Sequence, residues 1–294
     1  MSSANGLLLL SKPCGITSFA ALAAVKKKLG TQKVGHTGTL DKFAEGLLVV
    51  LCGRYTRLAP FISGMDKRYS GIFEFGAETA TLDPEGEIVR RGSLPEAEAI
   101  ESAVKNLTGP IMQRPPDFSA VHIDGKRAYE RALRGEDVEI PERPVTIYSF
   151  DIQDWQPPFL SCSVHCSKGT YIRSLARDLG RAVSSCAYVK SLRRTQVGPF
   201  ILDEAVSLDE FSLECVKSGR EFLERLVPGK SAVVKDGYYE SLRMGKPLRD
   251  DFFETPPADA RDGAAGVLVF TRAGDLAAVI SRNEKGYAYH FVCA

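Results

Sequence analysis

Residues 33–46, from Lys33 to Gly46, hold Asp41 in a stretch punctuated by three glycines and two threonines. That composition is poor material for helix or sheet, but it permits positive φ and close backbone approach, so a large ligand can reach Asp41. Asp41 is therefore a candidate nucleophile or base, and it needs a nearby cation to stay ionised once a substrate covers it. The best candidate for that cation is Arg173, in Lys168-Gly169-Thr170-Tyr171-Ile172-Arg173. Gly169 lets a strand end turn sharply into a helix, which sets Tyr171 and Arg173 in the first helical turns beside a cleft. An arginine there can hold a carboxylate or a phosphate through two N–H groups; the alternative is a surface ion pair worth under about 1 kcal/mol.

Tyr69 follows two cations in Asp66-Lys67-Arg68-Tyr69, a setting that suits stacking on a nucleobase, and its phenol can also move a proton. The alternative is that it simply packs. His36 has no Cys or His at ligand spacing, which argues against a metal site; an exposed imidazole in a glycine turn can instead stack on a base. His165 and Cys166 alternate within a strand and read as packing residues.

These groups need a frame. Gly6–Leu10 reads as a strand, stopped by Lys12-Pro13-Cys14-Gly15. Thr17 or Ser18 can cap a helix over Phe19–Leu29, with Phe19, Leu22, Val25 and Leu29 on its inner face and Gly30 as its stop. Leu47–Cys52, Tyr69–Phe75, Ser119–Ile123, Val145–Ile152, Leu160–Cys166 and Tyr188–Val197 read as strands. Helices are expected over 96–107, Arg127–Leu133 and Tyr171–Val183, the last with Ile172, Leu175, Ala176 and Leu179 inward. Gly109-Pro110 ends the helix before it, and Asp83-Pro84-Glu85-Gly86 is a β-turn.

Hairpins mixed with single helices predict an α+β domain with a mixed, largely antiparallel sheet and flanking helices over residues 1–230. Runs at Val267–Thr271, Leu276–Ser281 and Tyr287–Val292, after an acidic stretch at Asp250–Asp262, predict a small β-rich module over 231–294.

Composition bounds the rest. With 294 residues, 44% hydrophobic and 26% charged, the chain is long enough for a full core. The apolar stretches Leu7–Leu10 and Leu47–Cys52 are too short to cross a bilayer, and no basic region precedes an apolar one at the N-terminus, so the cytoplasm is expected. Seven scattered cysteines without paired spacing read as reduced thiols. Net charge is only +1, but residues 1–64 carry eight Lys/Arg against two acids, residues 165–198 seven against one, and residues 201–294 twelve against sixteen. If the two basic segments lie side by side, they make a face suited to phosphates and hence to nucleic acid. No Walker loop, dinucleotide glycine set or zinc quartet signals a cofactor or metal.

Six pieces in order resemble the TruB family of tRNA pseudouridine synthases over roughly residues 5–230: Lys12-Pro13-Cys14-Gly15-Ile16-Thr17-Ser18, Gly35-His36-Thr37-Gly38-Thr39-Leu40-Asp41, Lys67-Arg68-Tyr69, Pro115-Pro116-Asp117-Phe118-Ser119-Ala120, Lys168-Gly169-Thr170-Tyr171-Ile172-Arg173 and Leu192-Arg193-Arg194. The resemblance implies a pseudouridine synthase fold and isomerisation of uridine 55 in the tRNA T loop, with base flipping and no cofactor or metal. It implies Asp41 as the catalytic aspartate, Tyr69 stacked on the target base, Arg173 paired with Asp41, Tyr171 and Leu192 lining the uridine pocket, His36 entering the T loop, and Asp83 as a further partner of Arg173. The C-terminal module is similar to the family's PUA-like RNA-binding domain, although its negative charge suits phosphate poorly.

Two positions depart from the family. Lys42 stands where a proline usually follows the aspartate, which removes a fixed φ and predicts an added phosphate or carboxylate contact. Arg57 stands where a lysine is common and is expected among the substrate-binding residues. Three rival readings stay open: an RNA-binding protein without turnover, a glycoside hydrolase using Asp41 with Glu45 on a shared helix face, and a subunit of an RNA–protein complex. The short C-terminal module favours a stand-alone bacterial enzyme, expected to be a monomer.

Overall fold

A computed structural model of the chain describes residues 5–119, 122–123, 126–127, 140–257, 266–283 and 286–293. Residues 128–133 of the helix expected over Arg127–Leu133, Ala120 of the Pro115–Ala120 segment and the end of the Asp250–Asp262 stretch fall outside the described residues; Arg127 itself lies in a short strand, opposite His122.

The main body is one ten-stranded sheet. Its strands are β1 (Gly6–Lys12), β2 (Val34–His36), β3 (Glu45–Cys52), β4 (Lys67–Phe75), β5 (Gly109–Gln113), β6 (Arg143–Gln156), β7 (Phe159–Cys166), β8 (Ala187–Val197), β9 (Phe200–Ile201) and β10 (Val206–Ser207). They lie in the order β10-β1-β3-β8-β4-β7-β6-β5, with β2 beside β3 and β9 beside β8. All pairs are antiparallel except β1 with β10 and β8 with β3. The expected mixed, largely antiparallel α+β fold is therefore the observed one. The β8–β3 pairing, Arg193 opposite Glu45 and Arg194 opposite Gly46, also brings the two basic segments side by side.

Three helices position the site: α1 (Ser18–Leu29), α2 (Ala97–Asn106) and α3 (Ile172–Ala182). Thr17 caps α1, its hydroxyl accepting from the Ala20 N–H at 3.0 Å. Leu22 and Val25 are buried as expected, but Phe19 is 76% exposed; the inner face instead carries Ser18 and Ala21. A helix seated this close on the sheet takes small residues where the pattern had placed a large one.

Both faces of β1 and β3 are covered, which is why Leu7–Leu10 and Leu47–Cys52 read as unbroken apolar runs. Leu8, Leu10, Leu48 and Val50 pack under α1. Leu7, Leu9, Leu47, Val49 and Leu51 share a core with Leu268, Phe270, Leu276 and Val279. Those last four come from a second sheet of four strands, β11 (Ser231–Val233), β12 (Val267–Phe270), β13 (Leu276–Asn283) and β14 (Gly286–Val292), in that order, with α4 (Asp236–Arg243) beside it. On the other half of the large sheet, Phe73, Phe75, Ile147 and Leu160 pack with Ile172, Leu175, Ala176 and Leu179 of α3.

β5 is a correction. The sequence marks Gly109-Pro110 as a helix stop, yet these residues start an edge strand, a position where proline's missing N–H costs no ladder bond.

Candidate active site

The Asp41 loop follows β2, a short strand inside what the sequence suggests is a turn, and returns to the sheet at Glu45. Several buried groups fix it. The Ser18 hydroxyl, on the inner face of α1, donates to the Leu40 carbonyl and accepts from the Leu40 N–H, both at 2.9 Å. Arg194, almost fully buried, donates to the carbonyls of Leu47 at 2.8 Å and Gly38 at 2.9 Å. Gly46 has φ +102°, and a Cβ there would sit 2.4 Å from the Arg194 carbonyl, so only glycine allows β3 and β8 to meet beside the loop.

Arg173 reaches the loop from α3. Its Nη2 donates to Asp41 Oδ1 at 3.3 Å, and its Nε lies 2.9 Å from Asp41 Oδ2 in an ion-pair contact. The same guanidinium pairs with Asp83 Oδ2 at 3.3 Å and donates to the carbonyls of Thr81 at 2.8 Å and Phe118 at 3.0 Å. The expected partnership of Asp41, Arg173 and Asp83 is thus present, across 132 and 90 residues of chain. The two aspartates differ in access. The Asp41 side chain is 39% exposed and the Asp83 side chain 6%. Burial pushes the Asp83 carboxyl above the usual range although Thr81 and Arg173 pull it back.

A cavity of about 720 Å³ opens at Asp41, and Tyr69, Tyr171, Arg173 and Leu192 line it, as expected. Lys67, Arg143 and Arg194 line it too, so four cations face one carboxylate among the described residues. Tyr69 lies opposite Arg194 in the β4–β8 register. Burial raises its phenol pKa, while Arg194 beside it acts in the other direction. The Lys67 ammonium donates to the carbonyls of Ser63 and Met65, and burial lowers its pKa to about 8, with Arg194 adding to the effect.

Three expected residues lie elsewhere. His36 ends β2 half-buried, its Nδ1 accepting from the Gly38 N–H at 3.2 Å; it is not the exposed turn imidazole expected, and burial followed by Arg194 lowers its pKa. Lys42 finds a carboxylate, with Nζ 2.7 Å from Glu85 Oε1 at the surface. Arg57 donates to the Val292 carbonyl of β14 at 2.8 Å, away from the cavity, because a short 3-10 turn over Gly53–Leu58 aims it at the second sheet. Glu45 begins β3 and pairs with Arg193, so it shares no helix face with Asp41 and the hydrolase arrangement loses its premise.

Sequence reasoning gave no site role of their own to Arg194, Lys67, Arg143, Gln113 and Ser18, although Ser18, Lys67 and Arg194 stand within the motifs quoted above.

Known proteins resemble this chain in sequence and in fold. Residues 26–172 match the signature of the TruB family pseudouridylate synthase (N terminal domain), and residues 173–233 that of the tRNA pseudouridylate synthase B C-terminal domain. The tRNA pseudouridine synthase B of Borreliella burgdorferi (strain ZS7) is 46% identical over 247 residues, covering 82% of this chain and 88% of the relative. The tRNA pseudouridine synthase B of Corynebacterium glutamicum (strain R) is 45% identical over 295 residues, covering 98% and 95%. Among solved structures, a chain of a Cbf5-Nop10-Gar1 complex shares the fold, with TM-score 0.74 at 24% identity over 99% of this chain and 85% of that one. A chain of the archaeal box H/ACA Nop10-Cbf5 complex does likewise, with TM-score 0.72 at 20% identity over 99% and 86%. A buried arginine joining a loop aspartate to a cationic cavity, on this fold and with these relatives, makes the chain a member of the TruB family of pseudouridylate synthases.

Proposed function

We propose that the chain converts uridine 55 in the T loop of tRNA to pseudouridine, extruding the base into the cavity and using Asp41 as the essential carboxylate, without a cofactor. The observation that carries this reading is the unequal pair on Arg173: Asp83 is sealed in, while Asp41 opens onto the cavity. The relatives' name, tRNA pseudouridine synthase B, supports tRNA as the substrate.

The reaction breaks the C1′–N1 bond, turns the uracil and joins C5 to C1′, while the proton leaving C5 is balanced by one gained at N1. No redox change or second substrate enters. Extruding a stacked base costs a few kcal/mol. Phosphate contacts to the cationic wall and stacking on Tyr69 offset that cost, with Leu192 and Tyr171 bounding the base and His36 reaching into the T loop. Arg173 holds Asp41 in place as the base turns. Lys42 can exchange Glu85 for an RNA phosphate.

Residues 1–230 form the catalytic unit in this reading and 231–294 a PUA-like RNA-binding unit, with the chain acting as a cytoplasmic monomer. Among the described residues no group of three or more His, Cys, Asp or Glu side chains is gathered as a metal site, and no helix is long and apolar enough to cross a membrane.

The test is to incubate the protein with unmodified tRNA transcript and map pseudouridine, alongside Asp41→Asn. Product at one T-loop uridine from the wild type and none from the variant is expected. Equal product from both would remove Asp41 from its role, and binding without product from the wild type would favour an RNA-binding protein without turnover.

A further inference from the structure

The start of α3 has no cap of its own. Tyr171 occupies the N-cap position, and its side chain makes no capping hydrogen bond, unlike the Ser, Thr, Asp or Asn usual there. Arg173 follows only two residues later, and its bond to Asp41 Oδ1, at 3.3 Å, has little slack. Something else must hold this corner.

Two residues on neighbouring strands do so. Gln113 of β5 is fully buried, and its carboxamide grips the Tyr171 backbone from both sides. The Tyr171 N–H donates to Gln113 Oε1 at 2.9 Å, and Gln113 Nε2 donates to the Tyr171 carbonyl at 3.2 Å. Arg143 of β6 is the register partner of Gln113. Its guanidinium carbon lies 4.8 Å from the centre of the Tyr171 ring, and its Nη2 donates to the Gly169 carbonyl. Gly169, at φ +83°, is where β7 turns into α3. At the other end of the corner, Thr146 of β6 donates its N–H to the Ser167 hydroxyl and accepts from the Ser167 N–H, both at 2.9 Å.

We propose that Gln113 and Arg143 are positioning residues for the isomerisation: they lock the Tyr171 main chain and ring, and through them the register at which α3 delivers Arg173 to Asp41. This rests on the function proposed above. Neither residue needs to touch the reacting atoms. A shift of a fraction of an ångström at the corner moves the guanidinium off the carboxylate, and misplacement on that scale is costly in turnover. The arrangement also explains why β5, an edge strand of five residues, ends on a buried glutamine.

Two variants test it by single-turnover conversion of an unmodified tRNA transcript, with RNA Kd measured in parallel. Gln113→Glu keeps the acceptor for the Tyr171 N–H but turns the donor into an anion facing the Tyr171 carbonyl. It is expected to slow conversion at saturating enzyme by about tenfold or more while Kd stays within about threefold. Arg143→Lys keeps the charge but loses the flat face; it is expected to slow conversion by about threefold to tenfold with Kd similarly unchanged. A weaker Kd with an unchanged saturated rate in Arg143→Lys would make Arg143 an RNA contact and overturn the proposal. So would wild-type rates in both variants.

A readout independent of activity is the nuclear resonance of the Arg173 Nε–H. It is expected to move in both variants, and its staying at the wild-type position would overturn the proposal even if the wild type forms no pseudouridine. A wild type that forms none sinks the function reading separately. Should Gln113→Glu fail to fold, Arg143→Lys, at a half-buried site, decides.

Discussion

Cations at the Asp41 cavity and cations on the C-terminal unit are built differently. Around the cavity Arg173, Arg194 and Lys67 are buried; Arg194 and Lys67 donate to backbone carbonyls, and Arg173 divides its donors between two carbonyls and the carboxylates of Asp41 and Asp83. On the C-terminal unit, Arg272 bridges Asp236 and Glu254, and Arg243 reaches Glu240, with every partner well exposed. Removing one member of a buried, hydrogen-bonded pair strands a charge and costs about 3–5 kcal/mol, whereas an exposed pair contributes about 0–1 kcal/mol. The first set holds a loop in one conformation; the second solvates a surface. Charge counts along the sequence treat both alike, so the twelve-against-sixteen balance of residues 201–294 says little about what that unit does.

The contrast can be broken most directly at Arg173. Arg173→Lys keeps a charge but loses the fork that spans Asp41 and Asp83. Pseudouridine formation on a tRNA transcript should fall by about a hundredfold or more, with RNA Kd changed far less. The reverse pattern would make Arg173 a phosphate clamp. Arg194→Met comes next: it leaves the Leu47 and Gly38 carbonyls unpaired and should lower unfolding stability by about 2–4 kcal/mol in urea titration. A loss under about 0.5 kcal/mol would place Arg194 with the surface pairs.

Lys67 sharpens the comparison through pH. Its folded pKa of about 8 lies below the ordinary 10.5, so between those values the unfolded chain keeps a proton that the folded chain has released. Stability of the wild type relative to Lys67→Met should therefore rise with pH across that window, by up to about 3 kcal/mol. A flat difference would mean that the ammonium is better solvated than its surroundings imply. The smallest effect belongs to Arg272→Ala, expected to leave the urea unfolding midpoint at its wild-type value; a clear shift to lower urea would remove the distinction between the two regions.

Much of this was legible because strand alternation and glycine punctuation are local. The edges of β3, β4, β7 and β8 lie within about two residues of the apolar runs that announce them, and Asp41, Tyr69, Arg173, Leu192 and Tyr171 meet at one cavity. What could not be read depends on neighbours remote in sequence. Phe19 fits a helical stripe but faces outward because Ser18 and Ala21 take the tight contact. Arg57 sits in a basic segment yet is directed to Val292 by a turn. Gln113 carries no mark of its role until β5 is laid beside β6 and the corner of α3 is brought over both.

The leucines of β1 and β3 that look away from α1 have a consequence for dissection of the chain. Leu7, Leu9, Leu47 and Leu51 share a core with Leu268, Phe270 and Leu276, so the far sheet helps to cover one face of β1 and β3. Severing the polypeptide after residue 230 would strip a greasy flank bare beside the reactive loop. Such a fragment should clump when expressed alone, and adding the missing piece in trans should return it to solution.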